Sequence, residues 1–333
     1  MPSSPDRQQA LRRFAELHLH GRELDIVPAS SDAGFRSYWR VHAPGEPPRV
    51  LMDAPPDKID CGPFLRIGAL LAEHGLPVPE VIASDLDQGF LLLSDLGERT
   101  CLETIQAGAS PGPHVEAAIA LLVRLQQVPA PDWLPPYDRG PLEAELDLFV
   151  DWYLGRHRGI VLSEADQAIW HDARARLVDS ALAQPQVLVH RDYMLRNLMP
   201  PIGDAALPGL LDFQDAGRGP IAYDPICLVK DAFASWPADD VETWLRSYHT
   251  QATAAGVPVP AWAQFRRDAD WIGMQRHLKV IGIFARIGHR DGKPRYLTDV
   301  PRFFGYLFEV LPAYPELAAL ADLLARVAPT DAD

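Results

Sequence analysis

A chain of 333 residues, 47% hydrophobic and 23% charged, is long enough for two lobes and a large core. Its formal net charge of −14 disfavours nucleic-acid and anionic-membrane partners, because phosphate-rich surfaces recruit basic ones. The three cysteines, Cys61, Cys101 and Cys227, are widely spaced without a C-x-x-C pair, which argues against a disulfide framework or zinc site and fits a reducing, cytoplasmic setting. No apolar run reaches the roughly 18 residues of a membrane span, and no signal peptide is expected.

In chain order, Arg7 to His20 has the apolar spacing of an amphipathic helix through Leu11, Phe14, Ala15 and Leu17. Short strands are expected at Asp25–Val27 and Tyr38–Val41, joined by a turn over Ser30 to Gly34, with a third at Val50–Met52. A helix follows from Pro63 to His74, with Pro63 near its start and Gly75 as its C-cap. Val81–Ala83 and Phe90–Leu93 read as strands around an Asp87-Gln88-Gly89 turn. After a hinge near Ser94 to Gly97 the pattern turns helical: Glu116–Gln127, Leu142–His157, Glu164–Leu182, Ala238–Ala255, Trp262–Gly288 and Val300–Leu311, with Pro129 to Pro141 as a proline-rich loop. The expectation is an α+β fold of two lobes. Residues 1–96 would form a small antiparallel-sheet lobe for nucleotide, and residues 97–333 a larger helical lobe with the catalytic loop and acceptor site.

The chemistry concentrates in His190-Arg191-Asp192-Tyr193-Met194-Leu195-Arg196-Asn197 and in Leu211-Asp212-Phe213. H-R-D-x-x-x-x-N followed by D-F is the order of the catalytic and metal segments in kinase-like phosphotransferases. Val187-Leu188-Val189 leads into the loop as a short strand. Asp192 is the expected base for an acceptor hydroxyl, a role that contributes roughly 10²–10⁴ in rate. Alone, a loop aspartate is usually a turn or cap residue; the fixed offset to Asn197 and the later Asp212 favour function. Asn197 and Asp212 offer oxygen ligands suited to Mg²⁺ on nucleotide phosphates. His190 more commonly supports loop geometry than moves protons.

These segments resemble the aminoglycoside phosphotransferase and choline kinase superfamily, and within it the bacterial anomeric amino-sugar kinases of cell-wall recycling. The stretches that carry the likeness are Leu51 to Pro56, His190 to Met199, Asp212 to Ala216, Gly219 to Asp224 and Gln275 to Lys279. The resemblance implies a protein-kinase-like fold and ATP- and Mg²⁺-dependent phosphorylation of the anomeric hydroxyl of N-acetylmuramate and N-acetylglucosamine, giving an α-1-phosphate. It implies Asp192 as base, Asn197 and Asp212 as magnesium ligands, adenine recognition by the backbone of Ser94, Asp95 and Leu96, and Asp224 as a brace for the catalytic loop. Asp215 either backs the metal or binds a sugar hydroxyl.

Two departures matter. The first hairpin holds only Gly34, so phosphate cover would fall to the backbone N–H groups of Ala33, Gly34 and Phe35. The third strand reads Val-Leu-Met where protein kinases place a phosphate-binding lysine, leaving Lys58 and Arg36 as candidates to replace it. Arg276, Lys279, Ile283, Arg286 and Arg290 fall on one helical stripe. Arg276 and Lys279 there invite an anionic acceptor group such as the lactyl carboxylate of N-acetylmuramate. Two rivals stay open: a kinase of the same fold for an aminoglycoside or choline, and a nucleotide-binding regulator without turnover.

Overall fold

The computed structural model describes residues 5–19, 23–30, 35–203 and 206–329. In chain order it contains α1 (Pro5–His18), β1 (Asp25–Ser30), β2 (Ser37–His42), β3 (Arg49–Asp53), α2 (Gly62–Glu73), β4 (Val81–Asp85), β5 (Phe90–Ser94), α3 (Cys101–Gln106) and α4 (Pro111–Gln127). Next come α5 (Arg139–Leu148), a π-helical segment (Phe149–His157), α6 (Glu164–Ala183), β6 (Gln186–Val189), a 3₁₀ turn (Leu195–Asn197), β7 (Leu198–Met199), β8 (Gly209–Leu210) and β9 (Gly217–Pro220). The chain continues through α7 (Tyr223–Val229), α8 (Ala238–Ala254), α9 (Trp262–Arg290), α10 (Val300–Val310) and α11 (Ala318–Val327), with 3₁₀ turns between the last three. An antiparallel sheet followed by a mostly helical remainder bears out the expected α+β class. Among the described residues no helix is long and apolar enough to cross a membrane. The turn expected over Ser30 to Gly34 lies largely outside the described residues.

The chain divides into two compact units, residues 1–128 with 192–216, and residues 129–191 with 217–333. The first is built on a sheet of five strands in the order β1-β2-β3-β5-β4, every pair antiparallel. Side chains alternate across such a sheet, so each strand serves two faces. Trp39, Val41, Leu51, Phe90 and Leu92 share the face that packs on Leu11, Phe14 and Ala15 of α1. Arg7 of α1 ties down the edge of that face: its Nε donates to Asp53 Oδ1 at 2.8 Å. Tyr38, Arg40, Val50, Met52, Leu91 and Leu93 belong to the opposite face, as the pairings Tyr38 with Met52, Arg40 with Val50 and Val50 with Leu93 require.

Turn chemistry fixes the ends of these elements. Gly89 has φ +71°, and a Cβ there would lie 1.9 Å from the Ala54 carbonyl oxygen, so no larger residue fits. The α2 helix ends as expected, with Gly75 left-handed and Leu76 N–H returning to the Leu71 carbonyl at 3.0 Å. The α3 helix carries a capping box in which Thr100 Oγ1 accepts from Glu103 N and Glu103 accepts from Thr100 N. The β7–β8 pair closes the unit: Leu210 N–H donates to the Pro77 carbonyl at 2.7 Å.

In the second unit the 29-residue α9 packs against α5, α6, α7, α10 and the π-helical segment. Gly282 permits its closest approach: a Cβ there would meet Leu148 C at 2.4 Å, Leu148 O at 2.5 Å and Phe149 N at 2.6 Å. These are backbone atoms at the point where α5 gives way to the π-helical segment. Gly282→Ala is therefore expected to destabilise by about 1–3 kcal/mol in urea unfolding, since the clash cannot be relieved by a rotamer change. Gly305→Ala is the contrast. Nothing lies within 4 Å of a Cβ at that exposed helical position, so the better helix former should be neutral or add up to about 1 kcal/mol.

Candidate active site

In the first unit, a pocket opens against the second sheet face. Tyr38, Arg40, Val50 and Leu93 form one side, Ser94, Asp95, Leu96 and Gly97 the connecting segment, and Arg196, Asn197, Met199, Asp212 and Phe213 the other side. The expected hinge residues Ser94, Asp95 and Leu96 thus share one cavity with the expected metal ligands Asn197 and Asp212. Ser94 is fixed by Glu80: its N–H donates to the Glu80 carbonyl and its hydroxyl accepts from Glu80 N–H, both at 2.9 Å. Asp95 accepts from Arg40 Nε at 2.5 Å, from Arg40 Nη2 at 3.1 Å and from Gly97 N–H at 3.0 Å. A bidentate guanidinium–carboxylate pair of this kind is rigid, so it sets the shape of the connecting segment. Arg40 escaped the sequence reading because only strand pairing brings it opposite Asp95.

The loop carrying Asp192 is held by Tyr193 and by its own backbone. Tyr193 is fully buried and its hydroxyl donates to the Ala118 carbonyl at 2.8 Å. The Asp192 carbonyl accepts from Met194 N–H and from Asn197 Nδ2, both at 2.9 Å. Asn197 Nδ2 also reaches Asp212 Oδ2 at 3.4 Å, which brings the two expected ligands together. With the amide nitrogen of Asn197 so engaged, its Oδ1 is the atom left for a cation. Asp212 has φ +63°, a left-handed backbone rare outside glycine and typical of functional turns. That turn is clamped by Phe213, fully buried and stacked on Phe64 of α2 at 4.9 Å between ring centroids. Asp215 is exposed and lies beside Gln214, whose Nε2 donates to Asp212 Oδ1 at 2.8 Å and to Asp215 Oδ2 at 3.4 Å. Phe35 is 65% exposed, and Ala33 and Gly34 lie outside the described residues.

Among the described residues no group of three or more His, Cys, Asp or Glu side chains could hold a metal ion. The pair Asn197 and Asp212 nevertheless fits magnesium. Both offer hard oxygen donors, and Mg²⁺ is ordinarily bound by one or two side chains with substrate phosphates completing its shell.

The second unit carries the approach to the loop. Asp224, wholly buried, accepts from His190 N–H at 2.6 Å and Arg191 N–H at 2.9 Å. Arg191 is the other non-glycine residue with positive φ among those described, at +74°. Its guanidinium donates to Glu145 Oε1 at 3.1 Å and lies 4.5 Å over the Tyr137 ring. Glu145 also pairs with Lys279 Nζ at 2.8 Å, and accepts from Gln275 Nε2 at 3.2 Å and from the Tyr137 hydroxyl. Burial alone would raise the Glu145 carboxyl; the Lys279 charge and hydrogen bond outweigh it, helped by Tyr137 and Arg191, and hold it below the usual range. Burial pushes the Tyr223 hydroxyl up to about 12, although Lys279 Nζ stands 2.9 Å away.

Arg276 is enclosed. It does share the stripe with Lys279, but that face of α9 is packed, and Arg276 is 3% exposed. Its Nε donates to Cys227 Sγ at 2.8 Å and its Nη1 to the Lys230 carbonyl at 3.0 Å, so its donors are turned inward. The helical period located the stripe but could not say what covers it.

Residues 25–266 match the phosphotransferase enzyme family, APH. An N-acetylmuramate/N-acetylglucosamine kinase of Pseudomonas putida is 52% identical over 303 residues, covering 91% of this chain and 88% of that protein. The enzyme of the same name from Neisseria meningitidis serogroup B is 40% identical over 325 residues, 96% of either chain. Among solved structures, an ADP-bound aminoglycoside phosphotransferase aligns with a TM-score of 0.59 at 14% identity, covering 90% of this chain and 97% of that one. That likeness concerns the fold, and it agrees with the protein-kinase-like architecture expected from the catalytic segments. A loop-borne aspartate, an asparagine at the required offset and a left-handed Asp-Phe turn thus recur in a chain that belongs to the phosphotransferase enzyme family.

Proposed function

We propose that the protein is an ATP- and magnesium-dependent sugar kinase that phosphorylates the anomeric hydroxyl of N-acetylmuramate and N-acetylglucosamine to α-1-phosphates, in cytoplasmic recycling of the cell wall. The observation that carries this reading is the 52% identity to a kinase of that name across 91% of the chain. The approach of Asn197 to Asp212 at 3.4 Å, in a pocket that includes Ser94, Asp95 and Leu96, supports the phosphoryl-transfer part.

In functional terms, residues 1–96 serve nucleotide binding, and residues 97–333 carry the catalytic loop and acceptor contacts. The Asp192 carboxylate takes the proton of the sugar C1 hydroxyl as that oxygen bonds to the γ-phosphorus; the bond from phosphorus to the ADP oxygen breaks in line. Asn197 Oδ1 and the Asp212 carboxylate hold magnesium, which when bound offsets charge on the phosphate oxygens. The segment Ser94–Leu96 receives adenine. On the acceptor side Lys279 and Asp215 remain in the proposal. Arg276 stays in it as well, its guanidinium enclosed beside Cys227.

Phosphorus NMR after incubation with ATP and each sugar tests this. The expected product signal is split by coupling to the anomeric proton, with choline and kanamycin giving none. Turnover of choline or kanamycin without either sugar would replace the acceptor assignment. Nucleotide binding with no phosphorylated product from any of the four would reject a kinase.

A further inference from the structure

The phosphate-binding lysine expected on β3 has no counterpart: Met52 is fully buried at the middle of the pocket-side face. The buried residues of α2 are apolar as well: Phe64, Ile67 and Leu71. With methionine at that position, the charge that meets the nucleotide's terminal phosphates has to come from another residue.

Arg40 is on the right face, but its guanidinium is committed to Asp95 and to the Gly97 carbonyl. Lys58 is solvent-exposed, with Asp57 3.4 Å away. Arg36 remains. Tyr38 and Arg40 both line the pocket, and Arg36 directly precedes β2, two residues before Tyr38. Its Nε is buried and has no hydrogen-bond partner among the described residues. A buried guanidinium nitrogen left unpaired is costly, and such groups in folded proteins ordinarily have a partner to meet. The Arg36 charge also reaches Cys61, which precedes α2: it favours the thiolate there, though burial dominates and the thiol lies above its ordinary value.

We propose that Arg36 is the cation that binds the terminal phosphates of the nucleotide, in place of a β3 lysine. This rests on the ATP-dependent reading above. Arg suits the role because its planar fork matches phosphate oxygens in pairs.

Calorimetric titration with Mg-ATP and with adenosine separates the possibilities. Wild-type protein should bind both. Arg36→Gln should weaken Mg-ATP by about 10- to 100-fold, the range for losing a charged hydrogen bond, while adenosine changes less than about twofold. Arg36→Lys should recover most of the loss, and Lys58→Gln should bind as wild type. Unchanged Mg-ATP affinity in Arg36→Gln, or equal loss of adenosine, overturns the assignment and leaves the nucleotide reading intact. Wild-type protein that binds neither ligand would instead overturn the nucleotide reading, and this assignment with it.

Discussion

Asp192→Asn is expected to lower kcat by at least about 10²-fold while the KM for ATP stays within about twofold. The substitution keeps size and shape and removes the proton acceptor. It leaves untouched the Asp192 backbone carbonyl, which accepts from Met194 N–H and Asn197 Nδ2 and so helps hold the loop. Steady-state kinetics on N-acetylmuramate, with ATP varied, provide the measurement. A variant with near-normal kcat would remove Asp192 from the role of base. A large rise in KM for ATP with kcat preserved would assign it to ground-state binding instead.

The second large effect concerns stability. Glu145 is only 9% exposed and forms ion pairs with both Arg191 and Lys279. Glu145→Ala takes a counter-charge away from two partly buried cations at once. Breaking a buried ion pair from one side typically costs about 3–5 kcal/mol, and a loss of that size is expected in urea unfolding. Adding Lys279→Met should restore part of it, because one of the stranded charges is gone. The pH dependence has a definite sign. The folded-state pKa of Glu145 lies below its ordinary 4.5, so its contribution is complete above that value and is lost as pH falls through the folded-state pKa. Glu145→Gln should accordingly show a flatter acid limb in a stability–pH curve. Wild-type stability in Glu145→Ala would contradict the account of this cluster.

How much of this was legible beforehand depends on whether a feature is local. The strands β3 and β5 and the long α9 announced themselves through alternation and period, since their buried sides are continuous in sequence. The H-R-D-x-x-x-x-N run and its Asp-Phe successor were also local, so their geometry followed from spacing. Some of the elements missed have cues that conflict. The α7 helix contains Pro225 within its first turn and reads as a loop, although proline is tolerated at that point. The strand β9 is Gly-Arg-Gly-Pro, a turn composition that pairing with β6 overrides. The helix α3 did carry a signal, the Thr100-x-x-Glu103 box, which was there to be used. The Arg191–Glu145–Lys279 cluster had none, because its members meet only after α5 and α9 have packed. Arg276 shows the same limit from the other side: sequence gave the helical face correctly, and tertiary packing decided that it faces inward.

The first unit is discontinuous: residues 192–216 complete what residues 1–128 begin. Phe213 fills the space beside Phe64, and β8 bonds to Pro77, so the sheet and α2 have an open flank until that later stretch exists. A nascent chain on the ribosome therefore cannot finish this unit until more than 200 residues have been made. The order of synthesis thereby delays the assembly of the loop carrying Asp192 until the sheet is already waiting, and it ties the two together so that neither can be traded between relatives by recombination at a single junction.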